Sequence, residues 1–223
     1  MSRYFLPILL FIVTPIASIA QQNDQNLNVE EKAKVLLDRV KDNYDDYSTI
    51  QVDFSFMLEN KKQDNFKEMR EGTATLKDEK FRINLGSHLI ICNNKNVWTY
   101  LKDANEVQVN NYKPDQMKIN PSEMFTIYQE GFLYGYKGEK SVEGTKYHQV
   151  ELTPEEKKKS FYKIRLLINQ ETYRVGRTKV FEKDGSIYTY NFKSYTLNKD
   201  LPDDHFTFDK QEHPSANMID LRE

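Results

Sequence analysis

The fold is decided by residues 88–110, HLIICNNKNVWTYLKDANEVQVN, where three partly apolar stretches are separated by two short polar links. The stretches VWTYLK and EVQVN alternate in the two-residue period of a β-strand, whose successive side chains point to opposite faces. The links NNKN and KDANE have the length and composition of hairpin connections. This part of the chain therefore predicts three consecutive antiparallel strands.

The same pattern continues on both sides of this stretch. Residues 50–60, IQVDFSFMLEN, place apolar side chains at every second position, and further strand-like runs follow. These runs are REGTATLK, FRINLG, KYHQVEL, SFYKIRLLIN, YRVGRTKVFE and SIYTYNFKSYTL. About ten strands joined by hairpins indicate an antiparallel meander, and a sheet of that size curls. We predict a mainly β (α+β) fold, an unclosed and strongly curved antiparallel β-barrel, or half-barrel.

Two segments have helical periodicity instead. Residues 29–48 carry apolar side chains at helical spacing after Asn28, which can cap a helix, and a shorter amphipathic segment begins at Asn120-Pro121 and ends at Gly131. We predict that these helices cover the concave face of the sheet. Their apolar residues are the predicted lid: Leu36, Val40, Met124, Ile127 and Tyr128.

The first twenty residues have the composition of a secretory signal peptide. Arg3 precedes an apolar run that ends in Ser18-Ile19-Ala20, a small-x-small cleavage pattern. The run is short for a membrane-spanning helix and contains prolines, so cleavage is favoured over a permanent anchor. We predict a signal peptide at 1–20 and a single domain at 21–223, located in the periplasm.

The composition and the reactive residues favour binding over catalysis. Without residues 1–20 the net charge is −3, which gives no reason to expect a nucleic-acid partner. Cys92 is the only cysteine, so an intramolecular disulfide is excluded, and we expect a half-buried, inert thiol. The four histidines are isolated from any nucleophile or metal-binding motif. We therefore expect a protein that is not an enzyme and that needs neither cofactor nor metal.

Large aromatic side chains are abundant, with 14 Tyr, 13 Phe and one Trp. A single curled sheet has only its concave side and two short helices to accommodate them, and an apolar cavity is the usual form of a binding site. The predicted cavity wall is Val52, Phe54, Phe56, Leu76, Phe81, Ile83, Leu85 and Trp98. The sequence does not decide on which face of its strand Trp98 lies.

In order along the chain, the strands resemble the LolA family of periplasmic outer-membrane lipoprotein carriers. The likeness lies in Val52-Asp53-Phe54-Ser55, in residues 72–77, in Phe81-Arg82-Ile83 and in residues 89–100. The closing segment, residues 204–208 followed by 217–221, is also similar to the family's end. In the last of the strand segments the family has an Asp-Gly-Lys-like turn, where this chain has Asn-Asn-Lys-Asn.

The resemblance implies a carrier that holds the acyl chains of lipoproteins in its cavity, without a cofactor. It implies an inner-membrane ABC-type releasing complex and an outer-membrane acceptor as partners, and we expect a monomer. The alternative is an envelope sensor or interaction module that binds lipid or protein on the same scaffold. The chain departs from the family at Asp78-Glu79, where well-known members have an Arg-Pro pair associated with lid closure, so that role is not transferred.

Overall fold

A computed structural model describes residues 27–60, 62, 66–114 and 131–222, which contain one α-helix and twelve strands. The helix is α1 (Val29–Asp45), and a short 3-10 helix at Asp203–Phe206 precedes the last strand. The strands are β1 (Ile50–Asn60), β2 (Phe66–Lys77), β3 (Lys80–Leu85), β4 (His88–Cys92), β5 (Asn96–Leu101), β6 (Glu106–Asn111), β7 (Phe132–Val142), β8 (Thr145–Pro154), β9 (Phe161–Asn169), β10 (Val175–Glu182), β11 (Ser186–Leu197) and β12 (Asn217–Asp220).

All twelve strands form one sheet, in the order β12-β6-β5-β4-β3-β2-β1-β11-β10-β9-β8-β7. Neighbouring strands are antiparallel, except that β12 lies parallel to β6. Strands β12 and β7 form the two edges and do not pair with each other, so the sheet is not closed into a barrel. The predicted unclosed antiparallel fold is confirmed. Within the described ranges, no helix is long and apolar enough to cross a membrane.

Helix α1 forms where the sequence predicts it, because its start is specified locally. The Asn28 side chain accepts hydrogen bonds from the backbone N–H groups of Glu30 and Glu31, and the Glu31 carboxylate accepts one from the Asn28 N–H. Its apolar stripe is buried: Ala33, Leu36, Leu37, Val40 and Tyr44. The helix packs against the sheet beside the edge strand β7.

Several sequence predictions fall on residues outside the described ranges. They are the signal peptide at 1–20 and residues 120–130 of the predicted second helix, which include the lid residues Met124, Ile127 and Tyr128. Gly131, the predicted end of that helix, is described. The described part of the predicted lid is therefore α1, with Leu36 and Val40 in the core.

Two strands were not predicted. Strand β7 carries Gly135, Gly138 and a run of charged residues, and its pairing with β8 slips between Tyr136 and Glu139, which hides the two-residue period. Strand β12 has only four residues, and three of them are exposed. Strand β12 forms by pairing with β6, which is distant in sequence, so no local pattern predicts it.

The sheet has two apolar faces with different covers. We call the face that packs against α1 the inner face, and the opposite one the outer face. On the outer face of β4, β5 and β6, a separate buried cluster is covered by the C-terminal segment 201–216. This outer cluster consists of Leu89, Ile91, Trp98, Tyr100, Val107, Val109, Phe208 and Ala216.

Polar contacts fasten the C-terminal segment to the sheet. The ammonium groups of Lys77 and Lys80 lie 3.4 and 2.9 Å from the Asp203 carboxylate, and the Arg82 guanidinium donates to the His205 carbonyl at 3.1 Å. These cations hold the pKa of the Asp203 carboxyl below its usual range. The C-terminal segment thus covers the outer cluster, whereas several apolar side chains of the inner face are only half-buried.

Candidate functional site

The strand register brings most of the predicted cavity wall onto the inner face. Residues paired across strands share a face, and Val52 pairs with Ala74, which pairs with Ile83. By the same rule Leu76 lies beside Phe81, and Phe54 and Leu85 flank Gly72. Seven of the eight predicted wall residues are therefore neighbours there: Val52, Phe54, Phe56, Leu76, Phe81, Ile83 and Leu85. Their role in binding stays a prediction.

The inner face has a covered zone and a partly open zone. In the covered zone, Val52 and Phe81 are fully buried in the same core as Leu36 and Val40 of α1. In the partly open zone, which we call the open zone, the side chains pack against this core but are only half-buried. The open zone consists of Phe56, Ile83, Leu85, Ile90, Val97, Tyr188 and Tyr190. These side chains are the part of the inner face that a ligand could contact.

An aromatic row runs along β1 and β11 at the centre of the sheet. The ring of Phe56 lies 5.4 Å from that of Tyr190 and 6.1 Å from that of Tyr188, while the Phe54 ring lies 6.5 Å from that of Phe192. Tilted rings at these separations attract one another and present a large, stiff apolar surface. The row borders the open zone on the side of β11.

The position of Gly72 allows the Phe54 ring to lie close to the sheet. A Cβ atom at residue 72 would stand 3.0 Å from the Phe54 ring, 3.0 Å from the Leu85 side chain and 2.7 Å from the Asn84 carbonyl oxygen. Any larger residue would push these groups apart. The glycine thus allows two wall residues to approach each other across β2.

A polar row forms one border of the open zone. The Arg70 guanidinium forms an ion pair with Glu68 and lies 3.0 Å from His88 Nδ1. These residues belong to the inner face, because Arg70 pairs with Phe56 and His88 pairs with Leu85. Polar groups that accompany an apolar ligand would meet water and charge at this border.

Trp98 is the exception among the predicted wall residues. It pairs with Ile91 on one side and Val109 on the other, and these are members of the outer cluster. The prediction that it lines the cavity is wrong, because side chains alternate along β5 and its neighbours Val97 and Thr99 occupy the inner face. The Phe208 ring completes the cluster by packing edge-on against Tyr100.

Further inner-face residues were missed in the sequence. Strand β11 contributes Tyr188, Tyr190 and Phe192, and their alternation was visible, but nothing in the sequence specified which face points towards the helix. A register shift opposite Asp53 also breaks the period before Tyr195. From β7 and β8, the inner face receives Tyr134, Tyr136, Val150 and Leu152.

Cys92 lies on the inner face and is fully buried between Phe81 and Val97. Its Sγ accepts a hydrogen bond from the Asn94 N–H at 3.4 Å. Burial raises the pKa of the thiol, because the thiolate would lose its hydration there. The expected half-buried position is corrected to a fully buried one.

We expect Cys92 to resist alkylation until the protein unfolds. A buried thiol reacts only through opening, so for a domain stable by about 5 kcal/mol the labelling by iodoacetamide at pH 8 slows about a thousandfold or more. Mass spectrometry of native and urea-treated protein measures the difference. Labelling of the native protein at the rate seen in urea would contradict the burial of Cys92.

The histidines of the described ranges lie on β4, on β8 and in the C-terminal segment. No group of three His, Cys, Asp or Glu residues in these ranges could hold a metal ion. His148 lies beside the Tyr136 hydroxyl, His213 stacks on Phe208, and His205 has its pKa lowered by burial and by the nearby Arg82.

Comparison with known proteins agrees with this geometry. The family model "Outer membrane lipoprotein carrier protein LolA" matches residues 45–209, which include strands β1 to β11. The chain belongs to the LolA family. The resemblance of its strand segments to this family is thereby confirmed.

The sequence identities to individual proteins are low. The chain is 26% identical over 218 residues to the uncharacterized protein MJ0687 of Methanocaldococcus jannaschii, covering 93% of this chain and spanning 58% of that protein's length. Among solved structures, an uncharacterized conserved protein of Thermus thermophilus has a TM-score of 0.55 at 14% identity, covering 84% of this chain and 98% of that one. The LolA superfamily protein NE2245 of Nitrosomonas europaea has a TM-score of 0.42 at 13% identity, covering 79% and 97%.

The departure from the family at Asp78-Glu79 has a clear structural setting. Both residues are exposed in the tight turn between β2 and β3, where Asp78 has a positive φ of 52°. The flanking cations Lys77 and Lys80 pair with Asp203 of the C-terminal segment. In this LolA-family chain, the lysines on either side of the turn therefore hold the C-terminal segment against the outer face.

Proposed function

We propose that this protein is a periplasmic carrier that binds the acyl chains of lipoproteins on its inner face and moves them from the inner to the outer membrane. The observation that supports the proposal is the open zone, a group of half-buried apolar side chains on the inner face of a LolA-family sheet. The partners would be an inner-membrane ABC-type releasing complex and an outer-membrane acceptor. The carrier would act as a monomer without catalysis.

The physical demand on such a carrier is large. Exposing acyl chains to water costs about 0.8 kcal/mol per CH2 group, so a lipoprotein crosses an aqueous space only if most of each chain is shielded. The open zone offers aromatic and aliphatic side chains that shield without requiring hydrogen bonds. Helix α1 lies along the same face, so a shift of this helix would enlarge the shielded area.

A release assay tests the proposal. Inner-membrane vesicles that contain an acylated lipoprotein and its ATP-driven releasing complex are incubated with residues 21–223, and the soluble fraction is analysed by gel filtration. We expect ATP-dependent appearance of the lipoprotein in one complex with the protein. The matched control is the same incubation without ATP.

Two outcomes would contradict a carrier. One is that no lipoprotein leaves the vesicles, although the protein is folded and the releasing complex hydrolyses ATP. The other is stable binding of a regulatory membrane protein in the place of the lipoprotein, which would support the sensor alternative instead.

A further inference from the structure

Strands β9 and β10 carry a group of cations on the outer face. Arg165 lies between Ile164 and Leu166, which belong to the core of the inner face. Lys179 precedes Val180, which belongs to the same core. Because side chains alternate along a strand, both cations lie on the outer face. The strand register places three more cations there, and together they form the cationic patch: Lys140, Lys163, Arg165, Arg177 and Lys179.

The patch contains an unfavourable pair. Arg165 and Lys179 are direct cross-strand partners, and like charges in this arrangement destabilise a sheet. Burial and three neighbouring cations lower the pKa of the Lys179 ammonium group, against the attraction of Glu59. The patch therefore lowers the stability of the folded protein. Departures of this kind from favourable pairing are expected at functional sites.

The protein compensates only part of this charge. Glu151 lies 2.6 Å from the Arg165 guanidinium and 3.7 Å from the Lys163 ammonium group. In the described ranges, Lys140 and Lys179 form no ion pair. The described helices pack elsewhere, α1 beside β7 and the 3-10 helix on β3. Positive charge is thus concentrated on this face, although the whole chain has a net charge of −2.

A cavity of about 490 Å³ opens beside Arg177. Its lining includes Asn191 and Ser55, and Glu143 is its acidic member. The Arg177 Nε donates to the Asn191 Oδ1, and the Asn191 Nδ2 donates to the Ser55 Oγ at 3.2 Å. These bonds orient the guanidinium and leave its two terminal nitrogens without partners in the described part of the chain. A guanidinium with two free N–H groups is suited to a carboxylate, which it binds through two parallel hydrogen bonds.

We propose that the cationic patch docks an acidic surface of a partner protein, and that Arg177 binds a carboxylate of this partner in the cavity. The choice of a protein rests on the proposed function, because a lipid bilayer on the outer face would leave the inner face turned away from the acyl chains of that membrane. Docking on the outer face leaves the inner face free for cargo. The carboxylates of the partner relieve the repulsion among the cations.

A fluorescein-labelled octaglutamate peptide serves as the probe. Its anisotropy is measured with the wild type and with the Lys140→Gln/Arg177→Gln/Lys179→Gln variant, called the patch variant. We expect the patch variant to bind at least about tenfold more weakly at low salt, and added salt to weaken binding by the wild type. The melting temperature should stay unchanged or rise, because the three cations repel one another and have no ion pairs in the described ranges.

The matched control is Lys95→Gln/Lys158→Gln/Lys199→Gln, which removes the same charge from exposed lysines in links outside the patch. We expect it to weaken binding by less than about twofold, because charges far from the patch are screened. Equal weakening by both variants, or no binding of the peptide by the wild type, would overturn the docking surface and leave acyl binding on the inner face untouched.

The lipid alternative is tested by co-sedimentation with vesicles of phosphatidylcholine and phosphatidylglycerol. We expect neither the wild type nor the patch variant to sediment with them. Sedimentation of the wild type that is lost in the patch variant would overturn the choice of a protein as the occupant of the outer face.

Discussion

Ile83→Asp is expected to weaken binding of an acylated lipoprotein by about ten- to a hundredfold while the protein still folds. Ile83 is half-buried in the open zone between Ala74 and Ile90, so a carboxylate there stays hydrated in the empty protein. Acyl chains on the inner face would remove that water and leave the charge unpaired. Fluorescence anisotropy of a labelled lipoprotein measures the affinity, and a melting curve measures the fold.

The next residue on the same strand provides a matched control. Asn84 is exposed on the outer face, and its side-chain oxygen accepts a hydrogen bond from the Lys102 ammonium group at 2.7 Å. Asn84→Asp therefore adds the same charge to the same strand at a tolerated position, and its affinity for the lipoprotein should equal that of the wild type. Equal affinities for Ile83→Asp and Asn84→Asp would mean that cargo does not occupy the inner face.

Trp98→Ala is expected to lower the free energy of unfolding by about 3–5 kcal/mol, the usual loss when a large buried aromatic ring is removed. Trp98 is only 9% exposed and packs within the outer cluster beneath the C-terminal segment. Because it lies on the opposite face from the open zone, the folded variant should bind the lipoprotein as tightly as the wild type does. Urea denaturation gives the stability, and anisotropy at low temperature gives the affinity.

Trp98→Phe serves as the conservative comparison and should recover most of the stability. A tenfold loss of affinity in Trp98→Ala, at a temperature where the variant is fully folded, would show that cargo contacts the outer face. Such a result would also restore Trp98 to the cavity wall that its sequence position suggested.

The parts of the fold that were predictable are those encoded by local patterns. The capping residues around Asn28 and the helical period specify α1, and the alternation along residues 50–60 specifies the inner face of β1. The face of β1 also predicts the seven wall residues of β1, β2 and β3, because side chains paired across a hairpin lie on the same face of the sheet.

The rest depends on contacts between distant parts of the chain. Both faces of β5 carry apolar groups, and only the packing of Phe208 and Ala216 against Trp98 shows which face is which. Strand β7 was not predicted because its glycines and charged residues interrupt the alternation of apolar and polar side chains. Such residues are suited to an edge strand.

The central claim is that the inner face binds the acyl chains and not the protein part of a lipoprotein. Native mass spectrometry of residues 21–223, mixed with an acylated lipoprotein or with the same lipoprotein without its acyl groups, tests this most directly. We predict a one-to-one complex with the acylated form and none with the other. Equal amounts of complex with both forms, or a complex with neither, would contradict the account.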